Sequence, residues 1–484
     1  MADSLYFYDL ETSGINPRES RVMQFAGQRT DLDLNPIGEP HNILITLSED
    51  VLPDPDAILI TGITPQQTQA EGTTEYDFLQ TFAREIATPG TIFVGYNTVR
   101  FDDEFMRCLH WRNFHDPYQW QWKDDRSRWD LLDVVRMTRA LRPEGIKWPV
   151  DSEGRPTNRL ELLSAANKLE HSHAHDALSD VRATIALAQL LRGKQSKLFD
   201  YLLKVRDKQS VRSIATAGKP FVYSSGKYSS QFEKTTVVEF MSENSRKDGA
   251  LVYDLRWDPT PFATMSADEL VNAWAWQKPE DRKPDEPRLP IKTLKYNRCP
   301  AVAPLAVLDQ ESQQRLKIDM AVIEANRKKL AAITDWPDKV LLALDIMDGQ
   351  RQQHFDGLEK HVDGQIYDGF LDEGDNKLIE KLRNAQPDEL ADFVSRLHDK
   401  RLKELLPLYK ARNFPRKLND QEKEEWEQYK SKRLFDGGAN SRLQKYFARI
   451  QEIAARPSLT QAQRYILEDL TLYGQSLMPA DWEN

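Results

Sequence analysis

The sequence predicts an α/β domain built on a mixed sheet, then a smaller β-rich module with helical additions, then an all-helical region. Three observations predict this order. Over the first ~190 residues, short apolar runs at 5–10, 43–47 and 91–95 alternate with helical spacing at 74–86, 101–111, 160–169 and 176–192. From 196 to 349, strand-like runs at 222–223, 235–240 and 250–255 are separated by Gly, Ser and Lys turns. Pro279, Pro284, Pro287 and Pro290 mark a loop at 277–290, and helical spacing follows at 310–331 and 338–347. From 352 onward apolar residues recur every three or four positions, as at Leu378, Ile379 and Leu382 and again at Leu402, Leu405 and Leu406. The expected domains are therefore 1–193, 196–349 and 352–478.

Composition narrows the class. The 484 residues include 40% hydrophobic side chains, enough for a core in each domain, and the formal charge is −10. Two cysteines, Cys108 and Cys299, supply neither a disulfide framework nor a thiolate zinc cage. No apolar run approaches the ~20 residues of a membrane helix. The first residues lack a basic start and apolar stretch, so the expectation is a cytoplasmic protein without a membrane span. The acidity is uneven: residues 1–90 hold 15 acids and 4 bases, and the remainder is close to neutral.

Three motifs carry chemistry. Asp9 and Glu11 end the first strand; two apart, they point to one face. Adjacent carboxylates repel unless a cation lies between them, and Mg²⁺ favours such hard oxygen ligands. Asp102 enters a helix with Met106 and Leu109 at i+4 and i+7, which turns it to the buried side, where an acid needs a partner. Its neighbour Asp103 is expected to form a surface ion pair with Arg107. Asp180 lies one turn into a helix preceded by His175, whose ordinary pKa suits proton removal near neutral pH. Residues 250–256 echo the first strand, but Arg256 replaces the second acid, so a structural strand is expected there.

D-x-E, F-D and H-x4-D in this order resemble the DEDD exonuclease superfamily, in its histidine-containing subgroup. Thr61-Gly62-Ile63-Thr64 is similar to that family's segment beside the substrate 3′ end. Phe101-Asp102-Asp103-Glu104, residues 127–133, residues 141–146, Asn297-Arg298-Cys299-Pro300 and residues 409–415 resemble the bacterial exodeoxyribonuclease I family. The resemblance implies an RNase H-like exonuclease domain, an SH3-like domain and a helical C-terminal domain. It also implies 3′→5′ hydrolysis of single-stranded DNA to 5′-mononucleotides in DNA repair and recombination, with two Mg²⁺ ions and Mn²⁺ able to substitute. Asp9, Glu11, Asp102 and Asp180 would hold the metals and His175 would be the general base. Arg159, in a matching R-L-E segment, would hold the terminal nucleotide together with Glu11.

Single-strand binding needs cations and aromatic faces. Residues 107–136 interleave both, and Arg107, Tyr118, Trp122 and Arg136 are the expected DNA contacts. Residues 203–247 carry a net charge of +5 and residues 400–417 of +6. They are expected to bind the phosphate backbone or, by the resemblance, the acidic C-terminal tail of single-stranded-DNA-binding protein. A monomer is expected. An RNA 3′ exonuclease or proofreading subunit would share the catalytic motifs. A non-catalytic repair scaffold would use only the later domains.

Overall fold

The computed structural model describes residues 3–169, 176–275, 287–356 and 361–478, with backbone alone at 352–356. The chain forms two compact units. The first comprises Met1–Ser127, Ser172–Arg182 and Lys360–Asn484, and the second Arg128–His171 and Ala183–Glu359.

In the first unit, strands β1 (Ser4–Thr12), β2 (Val22–Thr30), β3 (Pro36–Leu44) and β4 (Thr91–Gly95) lie in the order β3-β2-β1-β4. β1 runs antiparallel to β2 and parallel to β4, so the sheet is mixed. Tyr6, Tyr8 and Leu10 of β1 pack with Phe25, Phe82, Phe93 and Trp120 on one face. Leu5, Phe7, Asp9 and Glu11 take the other. Pairing of β1 with β4 ends at Phe7↔Val94, so Asp9 and Glu11 extend past the end of that ladder. Beyond β4 the chain turns into the helix Asp102–Arg112. Gly95 is needed in this turn, because a Cβ there would lie 2.0 Å from the Thr98 methyl.

β2 was not expected from its sequence. Val22-Met23-Gln24-Phe25-Ala26-Gly27-Gln28-Arg29-Thr30 mixes amides and glycine into the apolar run, yet eight of these nine residues are buried because both faces of the strand are covered. The expected strand at 43–47 is instead the end of β3, which stops at Leu44.

The C-terminal helices share cores with the N-terminal residues. Leu382, Leu402, Leu405, Leu406 and Tyr409 pack with Cys108, Trp111 and Phe114. Leu443, Ile450, Leu467 and Leu470 pack with Met23, Val51 and Ile58.

His110, on the buried side of the helix Asp102–Arg112, bonds through Nδ1 to the Met106 carbonyl at 2.7 Å and stacks on Trp120. Burial pushes its pKa down from 6.5 to about 4. A neutral folded ring and a protonated unfolded one make stability fall as pH drops from about 6.5 towards 4, by about 3 kcal/mol for this group at the low end. Thermal melts across that window should show the decline, and His110→Gln should flatten its slope.

In sequence, β5 (Ser127–Asp130) lies at the boundary of the two units. The second unit contains an antiparallel sheet of β6 (Phe221–Ser224), β7 (Thr235–Glu243), β8 (Gly249–Asp254), β9 (Ile291–Lys295) and β10 (Ala301–Pro304), in the order β10-β6-β7-β8-β9. β9 and β10 are short and were not expected. The echo of the first strand is β8, where Asp254 is buried, bonded by Thr236 and paired with Arg256, as a structural strand should be. The stretch at 310–331 is two helices, Gln310–Leu316 and Met320–Ala331. Lys317 adopts a left-handed conformation after the first, and Asp319 caps the second. Of the expected loop at 277–290, residues 277–286 lie outside the described residues.

Candidate active site

Asp9, Glu11 and Asp180 converge: one carboxylate oxygen from each lies within 4.8 Å of the others. Their elements are fastened to each other by side chains between them. Gln24, opposite Glu11 on β2, donates to Asp176 at 3.3 Å and accepts from the Ala177 backbone N–H at 3.4 Å. It thereby holds the start of the helix Ala177–Lys204, which presents Asp180 one turn in. Tyr8 donates to Asp103 at 2.6 Å and ties β1 to the helix Asp102–Arg112.

Asp102 is buried, as its periodicity required. Asp103 corrects the expectation: it is 1% exposed and accepts from Tyr8. Arg107 donates to Glu104 at 2.6 Å and to Gln121 at 3.1 Å. The i+4 argument located the right helix face for Asp102 but could not see that Tyr8, 95 residues earlier, would cover Asp103.

The electrostatics are those of a cation site. Burial, then Asp102, Glu11, Asp180 and Asp176, push the Asp9 carboxyl well above its ordinary value. Burial, then Asp180, Asp102 and Asp176, push Glu11 from 4.5 up to about 9. The strongest influences on both groups are desolvation and other acids. Hard oxygen donors crowded in this way fit a divalent cation, which would offset both. Asp176, given no role by the sequence reading, adds to this field. It also accepts from the Ser179 backbone N–H at 3.1 Å, and the signal for that was its place ahead of a helix. His175, His171 and His173 lie outside the described residues.

Family models match along the chain: Exonuclease over residues 6–188, Exonuclease I SH3-like domain over 206–343 and Exonuclease I C-terminal domain over 360–477. Exodeoxyribonuclease I of Haemophilus influenzae is 36% identical over 478 residues, covering 98% of this chain and 99% of the relative. The chain belongs to the exodeoxyribonuclease I family. The Escherichia coli member is 38% identical over 423 residues, 87% of each chain. Among solved structures, exonuclease I from Methylocaldum szegediense superposes with a TM-score of 0.90 at 40% identity, covering 99% of this chain and 100% of that one. E. coli exonuclease I in complex with a dA16 oligonucleotide gives 0.90 at 34%, covering 98% and 100%. The fold class expected from the sequence therefore holds: an exonuclease domain on a mixed sheet, an SH3-like domain and a helical C-terminal domain. The protein is an exonuclease, a hydrolase.

The remaining residues expected to contact DNA in this family member fall into two groups. In the first unit Trp122 is 61% exposed and Tyr118 is 38% exposed, whereas the nearby Trp111 and Trp120 are core. Arg107 is buried, committed to Glu104 and Gln121, and lies over the Tyr118 ring at 5.4 Å. In the second unit Arg159 is exposed at the start of the helix Leu160–Asn167. Arg136 is bonded to Asp133 and packs against Gly226. Within 400–417 the charge count overstates what solvent sees: Lys410 pairs with Glu422, and Arg412 with Asp50 and Asp363. Lys400, Lys403, Arg416 and Lys417 are the exposed cations.

Proposed function

We propose that this chain removes 5′-mononucleotides from the 3′ end of single-stranded DNA by hydrolysis, in DNA repair and recombination. The observation that carries the reading is the convergence of Asp9, Glu11 and Asp180 at the end of β1, in a chain whose whole length follows the exodeoxyribonuclease I plan. Solved relatives include E. coli exonuclease I with dA16, dA13 and dT13 oligonucleotides, and a zinc-bound form of the E. coli enzyme with single-stranded DNA. Asp9, Glu11, Asp102 and Asp180 would hold two Mg²⁺ ions, with Mn²⁺ as a substitute. Bound there, the ions supply charge neutralisation of the phosphate and of the departing 3′ oxygen.

The chain's own residues divide the remaining work. Asp9 and Glu11, on one strand, give the site its base. Asp102 and Asp180 come from helices that Tyr8 and Gln24 fix to that base. His175 would take the proton from the attacking water, so His175→Ala should lose the limb of the pH–rate profile near its ordinary pKa of ~6.5. An unchanged profile would remove it from that role. Tyr118 and Trp122 would offer faces for bases and Arg159 a contact to phosphate; Arg107 and Arg136 would contact phosphate only by leaving Glu104 and Asp133, their partners here.

The partner proposed is single-stranded-DNA-binding protein, through its acidic C-terminal tail; the exposed cations of 203–247 or those of 400–417 would receive it, or would instead follow the phosphate backbone. A relative has been solved as a complex of single-stranded-DNA-binding protein and exonuclease I with an inhibitor. No helix among the described residues is long and apolar enough to cross a membrane, and a cytoplasmic monomer is proposed. The decisive assay incubates the protein with 3′-labelled single-stranded DNA, duplex DNA and RNA, with Mg²⁺ or EDTA. Mononucleotide released only from single-stranded DNA, and blocked by EDTA, supports the reading. Release from RNA favours the ribonuclease alternative, and binding without release favours a scaffold.

A further inference from the structure

The turn Val362–Tyr367 lies against two of the elements that bear the carboxylates. Asp363 is fully buried and accepts hydrogen bonds from Arg21 and from Arg412, the latter at 2.8 and 3.0 Å. Arg21 closes the loop between β1 and β2. Its backbone N–H donates to Ser13 Oγ at 2.8 Å, and its carbonyl accepts from the Ser13 N–H at 2.9 Å. Its guanidinium also donates to the Glu19 and Ser20 carbonyls. Ser13 is two residues past Glu11, and the β1–β2 register shifts between Glu11 and Thr12.

The next residue tightens the same contact. A Cβ on Gly364 would lie 2.8 Å from the Arg18 Cβ and 3.1 Å from its Cγ and Cδ, so the turn approaches this loop at a distance only glycine permits. On its other side, the Val362 carbonyl accepts from Trp111 Nε1 at 3.0 Å, and Tyr367 donates to Glu104 at 2.5 Å. Trp111 and Glu104 both belong to the helix that carries Asp102.

We propose that Asp363 and Gly364 are positioning residues for the metal centre. Through Arg21 and Ser13 they set the end of β1 that presents Glu11, while the rest of the turn braces the Asp102 helix. The inference rests on the functional reading above. β1 needs such a brace because its pairing with β4 stops at Phe7 and its register with β2 breaks beside Glu11. Glu11 is the last residue paired before that shift, opposite Gln24, so what holds the loop beyond it adds to what sets that carboxylate. The C-terminal helices thereby acquire a role in the chemistry, separate from any contact with DNA.

The test is titration calorimetry of Mg²⁺ into the full-length chain, with thermal melts alongside. Gly364→Ala introduces the clash without removing a buried charge. Groups that orient metal ligands directly are worth about 10–100-fold in metal affinity. One step further out, Gly364→Ala should weaken Mg²⁺ binding about three- to tenfold, and Arg18→Gly added to it should restore affinity by removing the opposing Cβ. Leu470→Ala, in the helical core away from the turn, is the control: it should lower Tm without changing Mg²⁺ affinity. Gly364→Ala that lowers Tm with wild-type Mg²⁺ affinity would overturn the proposal, as would an equal loss of affinity in Leu470→Ala. A wild-type chain that binds no Mg²⁺ overturns the metal reading itself and this inference with it.

Discussion

Asparagine in place of Asp9 should leave a protein that folds and binds single-stranded DNA but does not cut it. Asp9 stands among Glu11, Asp102, Asp176 and Asp180, so removing its charge takes a donor from the cluster best fitted to hold Mg²⁺. Charge neutralisation by bound metal accounts for several kcal/mol of transition-state stabilisation, and each ~1.4 kcal/mol is tenfold in rate. A loss of at least about 10³-fold is expected in single-turnover release of labelled nucleotide, and the same for Asp180→Asn. Oligonucleotide affinity by fluorescence anisotropy should change little, because the proposed DNA contacts lie on other side chains. The opposite sign is expected for stability without metal. Glu11, ordinarily near 4.5, is held near 9 in the folded chain. The folded state therefore prefers the protonated group. Stability from it is complete below pH ~4.5 and is lost as pH rises towards 9. Asp9 carries a strain of the same sign, raised by burial and then by Asp102, Glu11, Asp180 and Asp176; Asp9→Asn removes that group, so Tm in EDTA at pH 8 should rise by about a few degrees. Full activity in Asp9→Asn, or a lower Tm in EDTA, would sink the metal assignment.

Asp9, Glu11 and Asp102 were legible in the sequence because each sits in a local period, whereas Asp180 was legible only through the order of the three motifs. Alternation on β1 puts Asp9 and Glu11 on one face, and i+4 spacing turns Asp102 inward with Met106 and Leu109. What holds them together was not legible. Gln24 lies on a strand whose amides and glycine disguise its burial, and its contacts with Asp176 and Ala177 span more than 150 residues. Asp103 reads as a surface acid by helical spacing until Tyr8 arrives from β1. The basic run at 400–417 reads as a phosphate surface until Arg412 is found inside, facing two acids. Local pattern encodes which face a side chain takes; it does not encode which distant side chain meets it there.

That buried arginine leads to the second large effect, on stability: Asp50→Ala should cost about 3–5 kcal/mol, the usual penalty for stranding one member of a buried ion pair. Asp50 and Asp363 are fully buried, and Arg21, Arg412 and Arg433 are nearly so. Arg412 lies between the two acids, donating to Asp50 at 2.7 Å and to Asp363 at 2.8 Å. Burial alone would raise the Asp50 pKa, but Arg412, Arg433 and Arg21 together outweigh it and hold the carboxyl below its ordinary value. Arg21, Arg412 and Arg433 thus converge on Asp50 and Asp363, with the Arg112–Glu75 pair beside them, and loss of either aspartate leaves guanidiniums facing one another in a buried setting. Asp50 also accepts from Ser48 at 2.6 Å, so alanine removes the acceptor of that hydroxyl as well. Asp50→Asn keeps the shape and some hydrogen bonds and should cost less than alanine, though the charge is still missing. If charge imbalance is the cause, Arg412→Met combined with Asp50→Ala should be more stable than Asp50→Ala alone, since the stranded cation is gone. Urea unfolding of the three variants checks this. A cost for Asp50→Ala below about 1 kcal/mol, the range of exposed pairs, would mean that water reaches the cluster and that the ions are not buried as the structure has them.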